Sequence, residues 1–121
     1  MNILVVDDSR AMRMILKRML RDAGFGGHNI AEADDGVKAL ETIKAHIPDV
    51  VLSDWTVASM NGIDLLEALN EQGIVTNFGF VTTESTDDMR KRATDAGAKF
   101  MISTPFTSES LQSALQPVLQ A

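Results

Sequence analysis

Apolar residues in this chain come alternately as short continuous runs and as stripes at helical spacing, and the alternation repeats five times. Residues 2–6 form an apolar run of the kind expected for a central strand covered on both faces. From Ser9 to Ala23, Met12, Ile15, Leu16, Met19 and Leu20 fall at helical spacing and predict an amphipathic helix. Arg10, Arg13, Lys17, Arg18 and Arg21 fill much of its other surface, and Gly24 is its stop. Ile30-Ala31-Glu32-Ala33 reads as a short second strand, and Asp35-Gly36 opens a helix with Val37, Leu40 and Ile43 inward that ends before Pro48. Asp49 to Ser53 gives a third strand, and Asn61 caps a helix carrying Ile63, Leu66 and Leu69, closed by Gly73. A fourth strand runs near 78–82, and Thr86 caps a helix over 87–96 with a thin stripe of Met89, Ala93 and Ala96. Phe100-Met101-Ile102 makes the fifth strand, and Thr107 or Ser108 caps a last helix with Leu111, Ala114, Leu115, Val118 and Leu119 inward.

Five strand–helix units joined by short loops predict an α/β fold, a doubly wound parallel sheet with helices on both faces. The 121 residues accommodate one domain, 1–121, without repeat, linker or low-complexity segment. Met1 leads within two residues into a strand, so the start of the chain is expected to be structural rather than a targeting signal. No apolar run is long enough to cross a bilayer, so no membrane partner is expected. The lack of cysteine excludes a disulfide framework and any Cys-ligated metal, and fits a cytoplasmic protein. A formal charge of −6 argues against general nucleic-acid binding, which depends on neutralising phosphates with Lys and Arg. Output is therefore expected through contact with other proteins or through chemistry on the chain itself.

The polar residues that interrupt the apolar pattern collect at strand ends. Asp7 and Asp8 close the first run, Asp54 the third and Thr82 the fourth. In an open parallel sheet the carboxyl ends of the strands share one edge, where ligands bind. Asp7 and Asp8 are consecutive and in an extended strand would face opposite ways, so they converge only where the chain turns before Ser9. Alone, the pair reads equally as a solvated strand end. Asp54 repeats the pattern and favours a metal site, since three carboxylates and a hydroxyl suit a hard divalent cation that shares oxygens with a phosphoryl group. A Gly-x-x-x-x-Gly-Lys-Ser/Thr loop is absent, and two carboxylates after the first strand repel a free phosphate unless a cation lies between them. The acidic loop favours metal-assisted phosphoryl transfer onto a carboxylate, with Asp54, single and central, as the best acceptor. The Asp-x-Asp nucleophile motif of haloacid-dehalogenase-like phosphohydrolases is absent, which argues against a free-standing enzyme.

Leu4-Val5-Val6-Asp7-Asp8-Ser9-Arg10, Leu52-Ser53-Asp54-Trp55, Met60-Asn61-Gly62, Val81-Thr82 and Thr104-Pro105-Phe106 stand in the order seen in response-regulator receiver domains. Over essentially its whole length the chain resembles the single-domain, CheY-like chemotaxis type. The resemblance implies a flavodoxin-like sheet of order 2-1-3-4-5 with five helices. It also implies phosphorylation of Asp54 by a histidine kinase or phosphotransfer protein, and Mg²⁺ held by Asp7, Asp8, Asp54 and the backbone carbonyl of Thr56. Thr82 would bond a phosphoryl oxygen and draw its loop inward. Helix 87–96, strand 100–103 and helix 108–120 would form the face for a downstream target, with Met89, Arg90, Lys91 and Arg92 as exposed candidates. Trp55 would report metal and phosphoryl binding, and Thr56 and Glu84 would tune water access. His28 and His46 are isolated and carry no catalytic expectation.

Three positions depart from that family pattern. Receivers normally carry a lysine where this chain has Thr104, which can hydrogen-bond but has no charge. Lys99 lies roughly 16 Å back along an extended strand, which leaves Arg10, at the mouth of the site, as the nearest substitute cation. By count from Gly97-Ala98, Met101 occupies the slot of the family's switch aromatic, while Phe100 should face the other side. The loop Thr56-Val57-Ala58-Ser59 lacks the usual Met-Pro step and is expected to be more mobile. Two readings stay open: a switch or phosphate carrier whose only chemistry is on itself, and a pseudo-receiver that binds partners constitutively. Three carboxylates about 5 Å apart at an effective dielectric near 20 repel by about 3 kcal/mol per pair. Without a lysine to offset this, Mg²⁺ should raise the melting temperature more in the wild type than in Thr104→Lys, and equal shifts in a thermal melt would contradict the idea.

Overall fold

The five apolar runs lie side by side in one all-parallel sheet, ordered β2-β1-β3-β4-β5, the order the resemblance implied. The strands are β1 (Asn2–Val6), β2 (Asn29–Ala33), β3 (Val50–Ser53), β4 (Asn77–Thr82) and β5 (Phe100–Ser103). Between and after them come α1 (Arg10–Leu20), α2 (Gly36–Ala45), α3 (Gly62–Glu71), α4 (Asp87–Asp95) and α5 (Ser108–Leu119). The structure is a computed structural model and describes residues 1–83, 85–103 and 106–119. Strand alternation sorts the core into two layers. Leu4, Val6, Val51, Phe78 and Phe80 meet α2, α3 and α4 on one face, while Ile3, Val5, Leu52 and Val81 meet Leu16 and Leu20 of α1 and Leu111 and Leu115 of α5 on the other. β1 and β3 are buried almost throughout, so their apolar runs are continuous rather than alternating.

Helix boundaries follow local chemistry. The hydroxyl of Ser9 accepts from the Met12 amide and caps α1; Asp35 caps α2 through the amides of Val37 and Lys38; Thr86 caps α4 through that of Met89. At the head of α5, the Ser110 amide donates to the Thr107 hydroxyl while the Thr107 amide donates to Ser110, a reciprocal cap that decides for Thr107 over Ser108. Asn61 stands at the cap position of α3, yet its side chain makes no capping bond. After α1, Arg21–Phe25 form one wide π-type turn in which Gly24 takes φ 100° and breaks the helix.

Two residues expected inside lie outside. Ile15 is 47% exposed because α1 turns Leu16 and Leu20 to the sheet, with Met12 and Met19 beside them, and Ile15 falls at the rim next to Met14. Val37 is 42% exposed because α2 packs on α3 through its small residues, with Gly36, Ala39 and Ile43 inward. The inward placement expected for Leu119 lies outside the described side chains.

β5 is the edge strand beside β4, with Gly79 opposite Phe100, and a Cβ at Gly79 would overlap the Phe100 ring. The absent side chain of one strand is the seat of the aromatic on the next. Gly79→Ala should therefore lower the unfolding free energy by about 1–3 kcal/mol. In a Phe100→Val background most of that penalty should vanish, a coupling of at least about 1 kcal/mol in urea denaturation. Strictly additive losses would show that the ring does not occupy the space.

Candidate functional site

The carboxyl ends of β1, β3 and β4 bring Asp7, Asp8, Asp54 and Thr82 to one edge, as their sequence positions required. Asp7 is 4% exposed and Asp8 is exposed. The turn after Val6 is set by two bonds: the Asp7 amide donates to the Ala33 carbonyl at 3.1 Å, and the Ser9 amide donates to Asp7 Oδ1 at 2.8 Å. The second bond bends the chain back so that consecutive aspartates share a loop. Burial pushes the Asp7 carboxyl up from 3.8 to about 6, the Ser9 amide opposes the shift, and the charges of Asp54 and Asp8 add to it. Asp54, half-buried, is also raised, first by burial and further by Asp8. The three carboxylates therefore feel one another.

Asp54 is held by donors from its own loop and from the next strand. The Trp55 amide donates to Oδ1 at 2.7 Å, and the Thr56 amide and the Thr82 hydroxyl also donate to this carboxylate, each lowering its pKa against the effect of burial. Thr82 thus hydrogen-bonds the Asp54 carboxylate directly. Beneath the loop, the Trp55 ring lies 5.0 Å from Phe80, which meets Phe78 edge-on at 5.3 Å. Ser53, fully buried, donates to the Asp54 carbonyl at 2.8 Å.

The loop from Asp54 to Gly62, whose sequence lacks the Met-Pro step, is attached to its surroundings at several points. Val57 is 4% exposed and plugs into the core layer under α2 and α3. The Gly62 amide donates to the Trp55 carbonyl at 2.8 Å, and the Ala58 carbonyl accepts from Gly36 at 2.9 Å and from Met60 at 2.8 Å. Ser59 donates through its hydroxyl to Asp35 Oδ2, and that bond is the first cause of a lowered Asp35 pKa. Among the described residues Ser59 is also the one non-glycine with positive φ, 70°.

Arg10, the nearest substitute cation by sequence, stands apart from the acidic loop in this structure. It lies exposed on a groove lined also by Arg13, Glu32, Asp34 and Lys38, and makes no ion pair with the three carboxylates among the described residues. The cation that reaches the acidic loop is Arg13, which the helical pattern assigned to the solvent face. Its Nη1 donates to the Asp7 carbonyl at 2.7 Å and its Nε to Glu32 at 3.0 Å, while Lys17 holds the other Glu32 oxygen at 3.1 Å. Only 13% of the Arg13 side chain is exposed. Nothing local marks Arg13 among five basic residues of the same helical stretch, and nothing marks Ser59 as the partner of a cap residue 24 positions earlier. Met101 packs toward the core layer of Phe80 and Phe100 toward the opposite layer, as strand alternation required. Thr104 and Glu84 lie outside the described residues. His28 meets the N-terminal amine at 3.3 Å and the Phe25 ring, away from this edge.

Chemically, the edge offers oxygen donors of like charge. Among the described residues no three acidic or histidine side chains form a ready coordination cluster. A cation of the magnesium type needs only one or two carboxylates with carbonyl and water oxygens, so the donor chemistry here fits it. Among the described residues no helix is long and apolar enough to cross a membrane.

The comparison with known proteins decides the family. The model of the response regulator receiver domain matches residues 3–116. This chain belongs to the response-regulator receiver family. It is 37% identical to the chemotaxis protein CheY of Pseudomonas aeruginosa, over 99% of this chain and 97% of that protein. It is likewise 37% identical to the chemotaxis protein CheY-3 of Vibrio cholerae, over 99% and 92% of the two chains. Among solved structures, chemotaxis protein CheY4 of Vibrio cholerae superposes with a TM-score of 0.84 at 30% identity, covering 97% of each chain. The signal receiver domain of NarL from Mycobacterium tuberculosis gives 0.88 at 28% identity, covering 99% and 96%. The protein is thus a CheY-like receiver domain of two-component signalling.

The raised Asp7 pKa has a definite sign for stability. The folded state binds this proton more tightly than the unfolded chain, so the stabilisation is full below the unfolded value near 3.8 and is lost as pH rises through about 6. At neutral pH the ionised Asp7 opposes folding by no more than about 3 kcal/mol, less after solvent screening. In metal-free protein, Asp7→Asn should raise the melting temperature at pH 7.5 and flatten its dependence between pH 4 and 6. A melting temperature at pH 7.5 that is lower in the variant would contradict this assignment.

Proposed function

We propose that the protein is a phosphoryl-accepting signalling switch, modified on Asp54 in a Mg²⁺-dependent reaction with a histidine kinase or phosphotransfer protein and read out by protein contact. The observation that carries this reading is the setting of Asp54: a half-buried carboxylate held by the Trp55 and Thr56 amides and the Thr82 hydroxyl, beside two further carboxylates. A carboxylate oxygen of Asp54 attacks phosphorus, the bond from phosphorus to the donor breaks, and the leaving group departs with the donor. Asp7, Asp8, Asp54 and the Thr56 carbonyl would hold Mg²⁺, which when bound offsets the repulsion between the carboxylates and the incoming phosphoryl oxygens. The Thr56 amide and the Thr82 hydroxyl are donors positioned to follow the negative charge from the carboxylate to the phosphoryl group. The chain performs no chemistry on a separate substrate in this reading.

The face of α4, β5 and α5 is the proposed contact surface for the downstream partner. Of α4 only Ala93 is buried, Arg90 and Lys91 are exposed, and Met89 is half-buried. Arg92 is tied to Glu67 at 2.7 Å and to Asp64 at 3.5 Å, so it is a brace to α3 before it is a contact residue. Thr104 in place of the usual lysine and Met101 in the aromatic slot favour a second reading, a pseudo-receiver that binds its partner constitutively.

Incubation with Mg²⁺ and a small phosphodonor, followed by intact mass, separates these readings. One added phosphoryl group in the wild type and none in Asp54→Asn is the expected result. If neither a small donor nor a receiver-competent histidine kinase phosphorylates the wild type, the constitutive binder replaces the switch.

A further inference from the structure

Ser59 and Asp35 belong to different loops, 24 positions apart, and meet on the flank of the acceptor site. Asp35 divides its two oxygens. Oδ1 accepts from the Val37 and Lys38 amides at 2.7 and 3.1 Å and caps α2, while Oδ2 takes the Ser59 hydroxyl. The same two segments are joined through the backbone, where the Gly36 amide donates to the Ala58 carbonyl at 2.9 Å. They lie so close that a Cβ at Gly36 would overlap the Met60 carbonyl. Ser59 adopts φ 70°, a left-handed conformation that serine avoids and glycine or asparagine accepts. A strained residue persists where its surroundings over-determine it, and here the surroundings are Asp35 and the start of α2.

What this contact fixes is the loop, not the helix. Asp35 caps α2 through Oδ1 whether or not Oδ2 is engaged, so α2 does not need Ser59. The acceptor loop has three attachments between Asp54 and Gly62: the buried Val57, the Gly62 amide on the Trp55 carbonyl, and the junction of residues 58–60 with α2. Thr56, whose amide touches the Asp54 carboxylate, stands between the first turn of this loop and that junction. The stiffness that a Met-Pro step would give is supplied instead by a side-chain bond to another loop.

We infer that Asp35 and Ser59 are positioning residues for the phosphoacceptor site: their bond holds the loop so that the Thr56 peptide and the Asp54 carboxylate keep their mutual geometry. The inference rests on the reading given under Proposed function and extends it to residues outside the acidic edge.

The test uses Ser59→Ala, Ser59→Gly and Ser59→Asn in the full chain. Two quantities are read: amide hydrogen exchange of Gly36 and Met60 in metal-free protein, and the Mg²⁺ half-saturation concentration from Trp55 fluorescence. Ser59→Ala is expected to speed exchange by about ten-fold and to raise half-saturation by about five-fold. Ser59→Gly relieves the backbone strain but cannot donate, so it should resemble Ser59→Ala in both. Ser59→Asn tolerates the left-handed backbone and offers an amide donor to Asp35, and should return both values to those of the wild type. A merely structural role would change the melting temperature and leave half-saturation and its rescue unmoved. Wild-type values in Ser59→Ala, or in Ser59→Gly, overturn the inference. A wild type that shows no Mg²⁺ response and takes no phosphoryl group overturns the underlying reading itself, an outcome recognisable without any variant.

Discussion

Repulsion among carboxylates that the fold forces together is the constraint on which this structure turns. A parallel sheet delivers every strand's carboxyl end to the same edge, so three aspartates spread over 48 positions of sequence cannot avoid one another once β1 and β3 pair. Burial itself raises both Asp7 and Asp54, and the neighbouring carboxylate charges add to the shift. Among the described residues the donors to these carboxylates are amides and a hydroxyl, Ser9 to Asp7 and Trp55, Thr56 and Thr82 to Asp54, while the Arg13 charge also lowers Asp7. Arg13 approaches from behind and grips the Asp7 carbonyl, which braces the loop and leaves the carboxylate face open. Neutral donors steady negative charge without cancelling it. The edge therefore keeps its negative charge.

Holding such an edge in shape requires a firm foundation, and the packing supplies it. β1 and β3 are flanked by strands on both sides and covered on both faces. Under Asp54, Trp55, Phe80 and Phe78 form a continuous cluster of tilted and edge-on rings, and aromatic pairs of this kind add about 0.5–1.5 kcal/mol each beyond the area they bury. Val57 drives the acceptor loop into the same layer. Loop and sheet thus move together, and the side chain that binds chemistry is set by the residues that build the core.

Much of this was legible in the sequence. The five strands and five helices follow from period and punctuation, because burial on two faces leaves continuous apolar runs and helical stripes leave spaced ones, while the cap expected of Asn61 makes no side-chain bond. The acidic edge followed from strand ends alone. Two inward assignments, Ile15 and Val37, failed because a helical stripe specifies a face about a third of the circumference wide, and tertiary packing chooses its centre. In α2 the choice fell on Gly36 and Ala39, since small residues let α3 approach. The long-range polar contacts, Arg13 to the Asp7 carbonyl and Ser59 to Asp35, have no periodic signature. They depend on which loops the finished topology sets side by side. The loop that lacks a Met-Pro step is attached by a bond of that kind.

Firmness is not uniform, and its distribution bears on how a signal could leave the site. Every residue of β5 is only partly buried, and α4 buries Ala93 alone, whereas α3 buries Gly62, Ile63, Leu65, Leu66 and Leu69. Local opening is easiest where few apolar contacts must be broken. Thr82 ends β4 opposite Ser103 of β5 and hydrogen-bonds Asp54, so it links the end of β3 to the less buried edge. On the β3 side Thr82 adjoins Asp54, which sits above the Trp55–Phe80–Phe78 cluster and the loop held by Val57. On the β5 and α4 side it meets a half-buried strand and a helix with one buried residue. Packing is therefore less extensive toward α4 and β5, where Met101, a flexible side chain, packs against the Phe80 layer.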